Sequence, residues 1–284
     1  MIHFAALRNR RLMSKSYTRK KRRAFTDANR DAWDEAAPRH AKVNQARLLE
    51  EFSKPGYSTL DDHCLDRLNE IGIEGKSVAQ LCCNNGRELL SLKNLGAGRC
   101  IGFDASAAFI EQARALANTS GHTDVEFVTT DIYDIPPDKR GPYDIVMTTI
   151  GVFGWMPDLD GFFEVIAELT CSGGHLFIEE SHPVLMMYEE GEGDEPSYLA
   201  YSYFKEDPWV ETSGIDYYEG IKYPSKTHYC FQHTLADIIM AAINAGFVLR
   251  HFAELGFDIT RLCADLEHAA ARPPMGMTMV WQKS

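Results

Sequence analysis

The segment VAQLCCNNGRELLSL at positions 78–92 constrains the fold more than any other part of the chain. A short apolar run ends in a tight polar turn, CCNNG, and the apolar residues that follow have helical spacing. A second apolar run then ends at Asp104, in IGFDAS. This order is typical of a βαβ unit, in which an acidic residue after the second strand accepts hydrogen bonds from ribose hydroxyls. The segment therefore predicts an α/β fold with an adenosine-ribose site.

The turn lacks the glycine spacing of a dinucleotide-binding loop. That loop reads G-x-G-x-x-G, because its glycines allow a helix N-terminus to approach a diphosphate closely. Here CCNNG contains only one glycine, Gly86. The pattern therefore argues against a nicotinamide-dependent dehydrogenase.

The loop resembles that of class I S-adenosylmethionine (SAM) dependent methyltransferases, which usually reads E/D-x-G-x-G-x-G. The match places Gln80 at the acid, Cys82 and Asn84 at the first two glycines, and Gly86 at the third. Asparagine adopts left-handed backbone conformations more readily than most residues, and cysteine is small enough for a cofactor to approach. Gln80 offers the methionine ammonium a dipole and no charge.

Three later blocks resemble the same family, in the expected order. They are FVTTDIYDIP at 127–136, GPYDIVMTTIGVFGW at 141–155 and LTCSGGHLFIEESHP at 169–183, and the resemblance extends from about residue 76 to the C-terminus. It implies SAM as cofactor and S-adenosylhomocysteine as product. The cofactor contacts that it implies are Gln80, Cys82, Asn84, Gly86, Asp104, Ala105, Ser106, Asp131, Ile132 and Thr148.

Strand and helix patterns alternate from residue 77 onward, which indicates a parallel sheet between helices. We predict a Rossmann-like, seven-stranded, mostly parallel sheet with helices on both faces, an N-terminal helical lid and an inserted antiparallel β cap. Residues 1–26 are expected to be a disordered basic tail, and residues 27–75 the lid, broken into two helices at Pro38. Residues 76–284 would form the methyltransferase domain, with the cap near 184–232.

Charge and cysteine content narrow the choice of partners and compartment. The net charge is −12 although residues 1–26 contain no acid, so the remaining chain is strongly acidic, which argues against nucleic acid as a partner. The seven cysteines are odd in number and form no C-x-x-C pair, so we expect neither a disulfide scaffold nor a zinc site. This use of cysteine favours a location in the cytoplasm. No apolar run is long enough for a membrane span, and no metal-ligand spacing stands out. The oligomeric state stays open.

Methyl transfer from a sulfonium mainly requires alignment of the reacting atoms, with a general base where the acceptor must lose a proton. His182, just after the fifth predicted strand, is the first candidate base; the alternative is a histidine hydrogen-bonded to a loop carbonyl. His233 is the second candidate, and His228 could face the same cleft. Of Glu179 and Glu180, only one can face the pocket. Predicted substrate contacts are Trp33, Phe153, Trp155 and Tyr203.

The sequence thus predicts transfer of a methyl group from SAM to an O, N or S atom of a small metabolite, without a metal. Two alternatives remain. The basic N-terminal residues are also compatible with an RNA methyltransferase, and the departures at Gln80, Cys82 and Asn84 with a SAM-binding protein that lacks catalysis.

Overall fold

The computed structural model describes residues 17–191, 195–216, 218 and 222–284. The strands, in chain order, are β1 (Val78–Leu81), β2 (Cys100–Asp104), β3 (Glu126–Thr129), β4 (Tyr143–Thr148), β5 (Thr170–Ser181), β6 (Tyr188–Glu189), β7 (Tyr198–Leu199), β8 (Trp209–Ser213), β9 (Pro224–Cys230), β10 (Phe247–Leu255) and β11 (Gly276–Lys283). The helices are α1 (Arg19–Phe52), α2 (Asp62–Ile71), α3 (Arg87–Asn94), α4 (Ala107–Thr119), α5 (Leu159–Leu169) and α6 (Leu235–Asn244).

Seven strands form one sheet in the order β10-β11-β5-β4-β1-β2-β3. Only β11 runs antiparallel to its two neighbours, β5 and β10. The order reverses between β1 and β4, so the carboxyl ends of these strands flank a crevice of the kind that binds ligands in open α/β sheets. The predicted Rossmann-like, seven-stranded, mostly parallel sheet is confirmed.

Two apolar clusters cover the two faces of the sheet. The first joins α5 and α6 to the sheet and contains Phe162, Ile166 and Ile238. The second joins the end of α1 with α2, α3 and α4, and includes Phe52 and Leu68. Helices therefore shield both faces, as a largely parallel sheet requires.

The chain between β5 and α6 forms the predicted antiparallel cap. Strands β6 and β7 make one small ladder, and β8 and β9 make another. Helix α1 packs on β9, where Phe25 lies 4.8 Å from the ring of Tyr229 and Asn29 exchanges two hydrogen bonds with the Tyr229 backbone. The cap and the N-terminal helix thus contact each other through α1 and β9.

Two expectations about the N-terminal region are wrong. Helix α1 begins at Arg19, so residues 19–26 belong to a packed helix and not to a disordered tail; residues 1–16 lie outside the described residues. The helix also continues through Pro38 without a break. A proline inside a helix costs about 3 kcal/mol, and here burial on both sides, at Ala36, Ala37 and His40, outweighs that cost.

None of the helices in the described ranges is long and apolar enough to cross a membrane. All seven cysteines are free.

Candidate active site

The loop after β1 has the backbone that the glycines of the family pattern would supply. Cys82, Asn84 and Gly86 have φ values of 53°, 50° and 73°. Left-handed backbone is uncommon outside glycine, and finding it at all three aligned positions supports the match. At Gly86 a Cβ would lie 2.6 Å from the ring of Phe127, so only glycine fits there.

Asp104, at the end of β2, anchors this loop. Its Oδ2 accepts the backbone N–H of Asn84 and its Oδ1 that of Ser106, each at 2.8 Å. Burial raises the pKa of Asp104 to about 6, although the two N–H groups favour the charged form. Ala105 also contributes a backbone N–H, so of the about four acceptor positions of a carboxylate at least one remains for a ribose hydroxyl.

Gln80 offers an unused acceptor at the other side of the loop. The side chain is fully buried, and its Nε2 donates to Thr149 Oγ1 at 3.1 Å. Its Oε1 is buried without a hydrogen-bond partner among the described residues. A buried acceptor left without a donor costs roughly 1–3 kcal/mol, so this atom fits the ammonium group of a bound cofactor. Thr148, buried at the end of β4, lies on the strand beside β1.

A cavity of about 300 Å³ lies between α1 and the ends of β2 and β3. Its volume is at the lower end of those of ligand pockets. Asp131 lines it, accepting the N–H of Tyr133 at 3.0 Å and the hydroxyl of Thr26 at 2.5 Å, and the adjacent Ile132 is buried in the core. The cavity is lined by Arg23, Thr26, Asp27, Arg30, Ala105, Thr129, Thr130, Asp131 and Asp134.

Helix α1 closes over this region through polar contacts. Asp34 accepts hydrogen bonds from Ser106 Oγ at 2.6 Å and from the backbone N–H of Ala108 at 3.2 Å, at the start of α4. Arg22 binds Asp158 at 2.6 Å, and Arg23 pairs with Asp134. The helix is therefore fastened on both sides of the cavity, in the position of a lid.

The loop backbone, the buried Gln80 oxygen and the cavity beside Asp104 fit the cofactor that the family resemblance implies. Four neighbouring strands, β1 to β4, and the loops after them supply the predicted contacts. The structure brings together Gln80, Cys82, Asn84, Gly86, Asp104, Ala105, Ser106, Asp131, Ile132 and Thr148 at the carboxyl edge of the sheet.

Aromatic rings of α1, the cap and the loop after β4 pack against one another. Trp33 of α1 lies 5.0 Å from Trp155, measured between ring centroids, and Trp155 lies 5.7 Å from His228 of β9. Trp33 also contacts His40 and Phe109, at 6.0 and 5.9 Å. We call Trp33, Trp155 and His228 the aromatic cluster. It joins two of the predicted substrate contacts, and His228 is the histidine whose ring contacts Trp155.

Phe153 and Tyr203 have other neighbours. The ring of Phe153 lies in the core, 6.2 Å from Phe162 and 5.9 Å from Phe163. The hydroxyl of Tyr203 accepts the backbone N–H of Leu235 at 2.8 Å, at the start of α6. Their roles as substrate contacts stay predictions, and these neighbours give them no support.

The two predicted catalytic histidines are both buried. His182 Nδ1 accepts the backbone N–H of Val184 at 3.2 Å, and its buried Nε2 lies 3.1 Å from Glu254 Oε1 but has no hydrogen-bond partner among the described residues. Burial lowers the pKa of His182, which favours the neutral ring. His233 Nε2 lies 2.8 Å from the carbonyl oxygen of Met156. The contact of His233 is that of a bracing residue, and both catalytic roles stay predictions.

Glu179 and Glu180 face opposite sides of the sheet, as their alternation predicts. Glu180 accepts the backbone N–H groups of Gly151 at 2.6 Å and Phe153 at 3.0 Å, which fixes the loop after β4. Burial raises its pKa to about 7. Glu179 lies 2.6 Å from His63 Nε2. His63 was missed in the sequence, since 116 positions separate it from Glu179 and no local pattern links them.

Comparisons with known proteins agree with this geometry. A family model described as a methyltransferase domain matches residues 78–174, which include β1 to β4 and the loop after β1. An uncharacterized protein of Haemophilus influenzae is 24% identical over 215 residues, covering 72% of this chain and 80% of its own length. A demethylmenaquinone methyltransferase of Lactococcus lactis is 29% identical over 163 residues, covering 52% of this chain and 64% of its own.

Among solved structures, a SAM-dependent methyltransferase from Mesorhizobium loti is similar with a TM-score of 0.56. The match covers 77% of this chain and 96% of that one, at 18% sequence identity. At that identity the likeness concerns the fold, and it extends over nearly the whole of the compared enzyme.

Proposed function

The chain belongs to the class I SAM-dependent methyltransferases, and from that premise we propose that it methylates an O, N or S atom of a small aromatic acceptor. The observation that carries the acceptor class is the aromatic cluster. Trp155 of this cluster belongs to the loop after β4. That loop lies on the side of the sheet edge where Gln80 would face the methionine part of the cofactor.

The cofactor supplies a methyl group that its sulfonium already activates. The residues of the chain then have to bind the cofactor and the acceptor and align the reacting atoms. Asp104 would accept the ribose hydroxyls, Asp131 would bind beside the adenine, and the Gln80 oxygen would accept from the ammonium. Helix α1, held in place by the hydrogen bonds of Asp34 and Thr26, would cover the cavity and exclude water. Positioning of this kind accounts for much of the rate in a direct displacement.

An aromatic acceptor suits the cluster for two physical reasons. Edge-to-face ring pairs contribute about 0.5–1.5 kcal/mol beyond the burial of their area, and the faces of Trp33 and Trp155 also attract a sulfonium charge. The relative from Lactococcus lactis is named for demethylmenaquinone, a quinone, which is in line with a ring-shaped acceptor.

The RNA-directed alternative has less support. Arg22 and Arg23 of the basic segment bind Asp158 and Asp134 and so are engaged in fastening α1. Their positive charge is therefore largely compensated within the protein.

Trp155→Ala is expected to raise the KM for the acceptor about tenfold, since it removes roughly 1.4 kcal/mol of ring contact. The affinity for SAM should stay within about twofold, because no predicted adenosine contact is lost. Formation of S-adenosylhomocysteine with aromatic phenols, amines and thiols measures the first effect, and calorimetry the second. Trp209→Ala, in the cap strand β8, is the matched control. Equal acceptor KM values for the two variants would argue against the aromatic cluster as the acceptor site.

We propose His228 as the group that accepts a proton from a hydroxyl or ammonium acceptor, because its ring contacts Trp155. His228→Ala is then expected to lower kcat by about 100-fold or more, the usual contribution of a general base. His182→Ala is the parallel variant, and it should lower the melting temperature with little change in turnover per folded molecule. The opposite result, a large kcat loss only in His182→Ala, would transfer the role to His182.

A further inference from the structure

Three potential metal ligands meet where α2 begins and β5 ends. The ligand atoms of His63, Cys64 and Glu179 all lie within 4.8 Å of one another, and His63 Nε2 is 2.6 Å from Glu179 Oε1. Cys64 is completely buried, Glu179 is 4% exposed, and 26% of the His63 side chain reaches solvent. Cys64 and Glu179 are thus buried ligands, and His63 is the ligand that solvent can reach.

From this juxtaposition we propose that His63, Cys64 and Glu179 bind a divalent transition-metal ion of the zinc class. Nitrogen, sulfur and carboxylate oxygen are the donors that Zn²⁺ accepts in proteins, and three protein ligands leave the fourth tetrahedral position for water or another ligand. Hard ions such as Mg²⁺ would prefer oxygen donors throughout. The proposal does not depend on methyl transfer.

The electrostatic surroundings favour a cation. Asp61, Asp62 and Glu88 lie close enough to act electrostatically on His63 or Cys64, so further negative charge surrounds the three ligand residues. When a metal ion binds, the sulfur coordinates it as the thiolate and the thiol proton passes to solvent.

The position of the cluster relates it to the site already described. Val78, Met147 and Phe177 belong to one core cluster on one sheet face. Two residues further along β1 and β5, Gln80 and Glu179 continue on that face, since side chains alternate along a strand. Gln80 is level with Phe177 across β4, so Glu179 lies two strands away and two residues further along, about 12 Å from Gln80 between Cα atoms.

Titration of the chelator-treated full chain with Zn²⁺ and with Co²⁺ tests the proposal. We expect one ion per chain, and with Co²⁺ a near-ultraviolet charge-transfer band from the thiolate. Cys64→Ser should remove that band. His63→Gln and Glu179→Gln should each weaken Zn²⁺ binding by about 100-fold or more, since loss of even an outer partner costs 10–100-fold.

Cys100→Ser, at an equally buried cysteine in β2, and His122→Gln, at a histidine bound to Asn94, are the matched controls and should bind as wild type does. Circular dichroism of each metal-free variant shows whether it is folded; should Glu179→Gln fail, the partly exposed His63→Gln decides. Absence of binding by the wild-type chain, or a Co²⁺ band that persists in Cys64→Ser, would overturn the proposal and leave His63 and Glu179 as an ion pair.

Discussion

Replacement of Asp104 by asparagine is expected to weaken SAM binding about 10- to 100-fold, because hydrogen bonds to a charged acceptor are worth roughly 1.5–3 kcal/mol. The ribose hydroxyls would keep a neutral acceptor of the same size. Since Asp104 also holds the backbone of Asn84 and Ser106, melting temperature is measured beside calorimetric affinity, to separate a displaced loop from a lost contact.

Asp124→Asn is the matched control, because Asp124 is largely exposed and pairs with Lys93 outside the cavity. Equal SAM affinities in the two variants would remove Asp104 from the cofactor site. A lowered affinity with an unchanged melting temperature would support direct contact with the ribose.

The same carboxyl gives SAM binding an expected pH dependence. Burial raises the pKa of Asp104 to about 6, so the free protein is increasingly protonated below that pH. Ribose hydroxyls bind the carboxylate better than the neutral acid, so affinity should fall as pH decreases through about 6, by at most tenfold per pH unit. Asp104→Asn cannot titrate at this position and should lose that part of the dependence.

The sheet and the cofactor loop could be predicted because their signals are local. An apolar run, a polar turn and a helical stripe follow one another within a few residues, and each reports on the backbone directly beside it. Asn84 was expected to replace a glycine in left-handed backbone, and it does so with φ of 50°. Cys82 was assigned to the loop only for its size, and sequence alone did not reveal that it adopts the same conformation.

The contacts that complete the site depend on tertiary packing and have no comparable signal. Trp33 and Trp155 meet only because α1 crosses the sheet edge, and His228 reaches them from a strand of the cap. The start of α1 was misplaced for the same reason. A run of basic residues favours a solvated tail, but Phe25 packs against Tyr229 and the arginines have acidic partners across the cavity.

That packing leads to the second large effect, which concerns residues 17–26. A chain that begins at residue 27 should be less stable than one that begins at residue 17 by about 3–5 kcal/mol, the cost of losing a buried phenylalanine with its neighbours. Phe25 is 8% exposed, between Tyr229 and Phe231. The half-buried pair of Arg22 with Asp158 would be lost as well, leaving Asp158 without its cation.

SAM affinity should fall at least about tenfold in the shorter chain, since Arg23 and Thr26 form one wall of the cavity and their loss would admit water. Denaturant unfolding and calorimetry on both chains measure the two effects. Phe25→Ala should reproduce most of the stability loss within the full chain, whereas Lys20→Ala, at an exposed position of the same helix, should change neither quantity. If the two chains unfold alike and bind SAM alike, residues 19–26 contribute nothing to the lid, and the contacts of α1 from Asp34 onward must close the cavity alone.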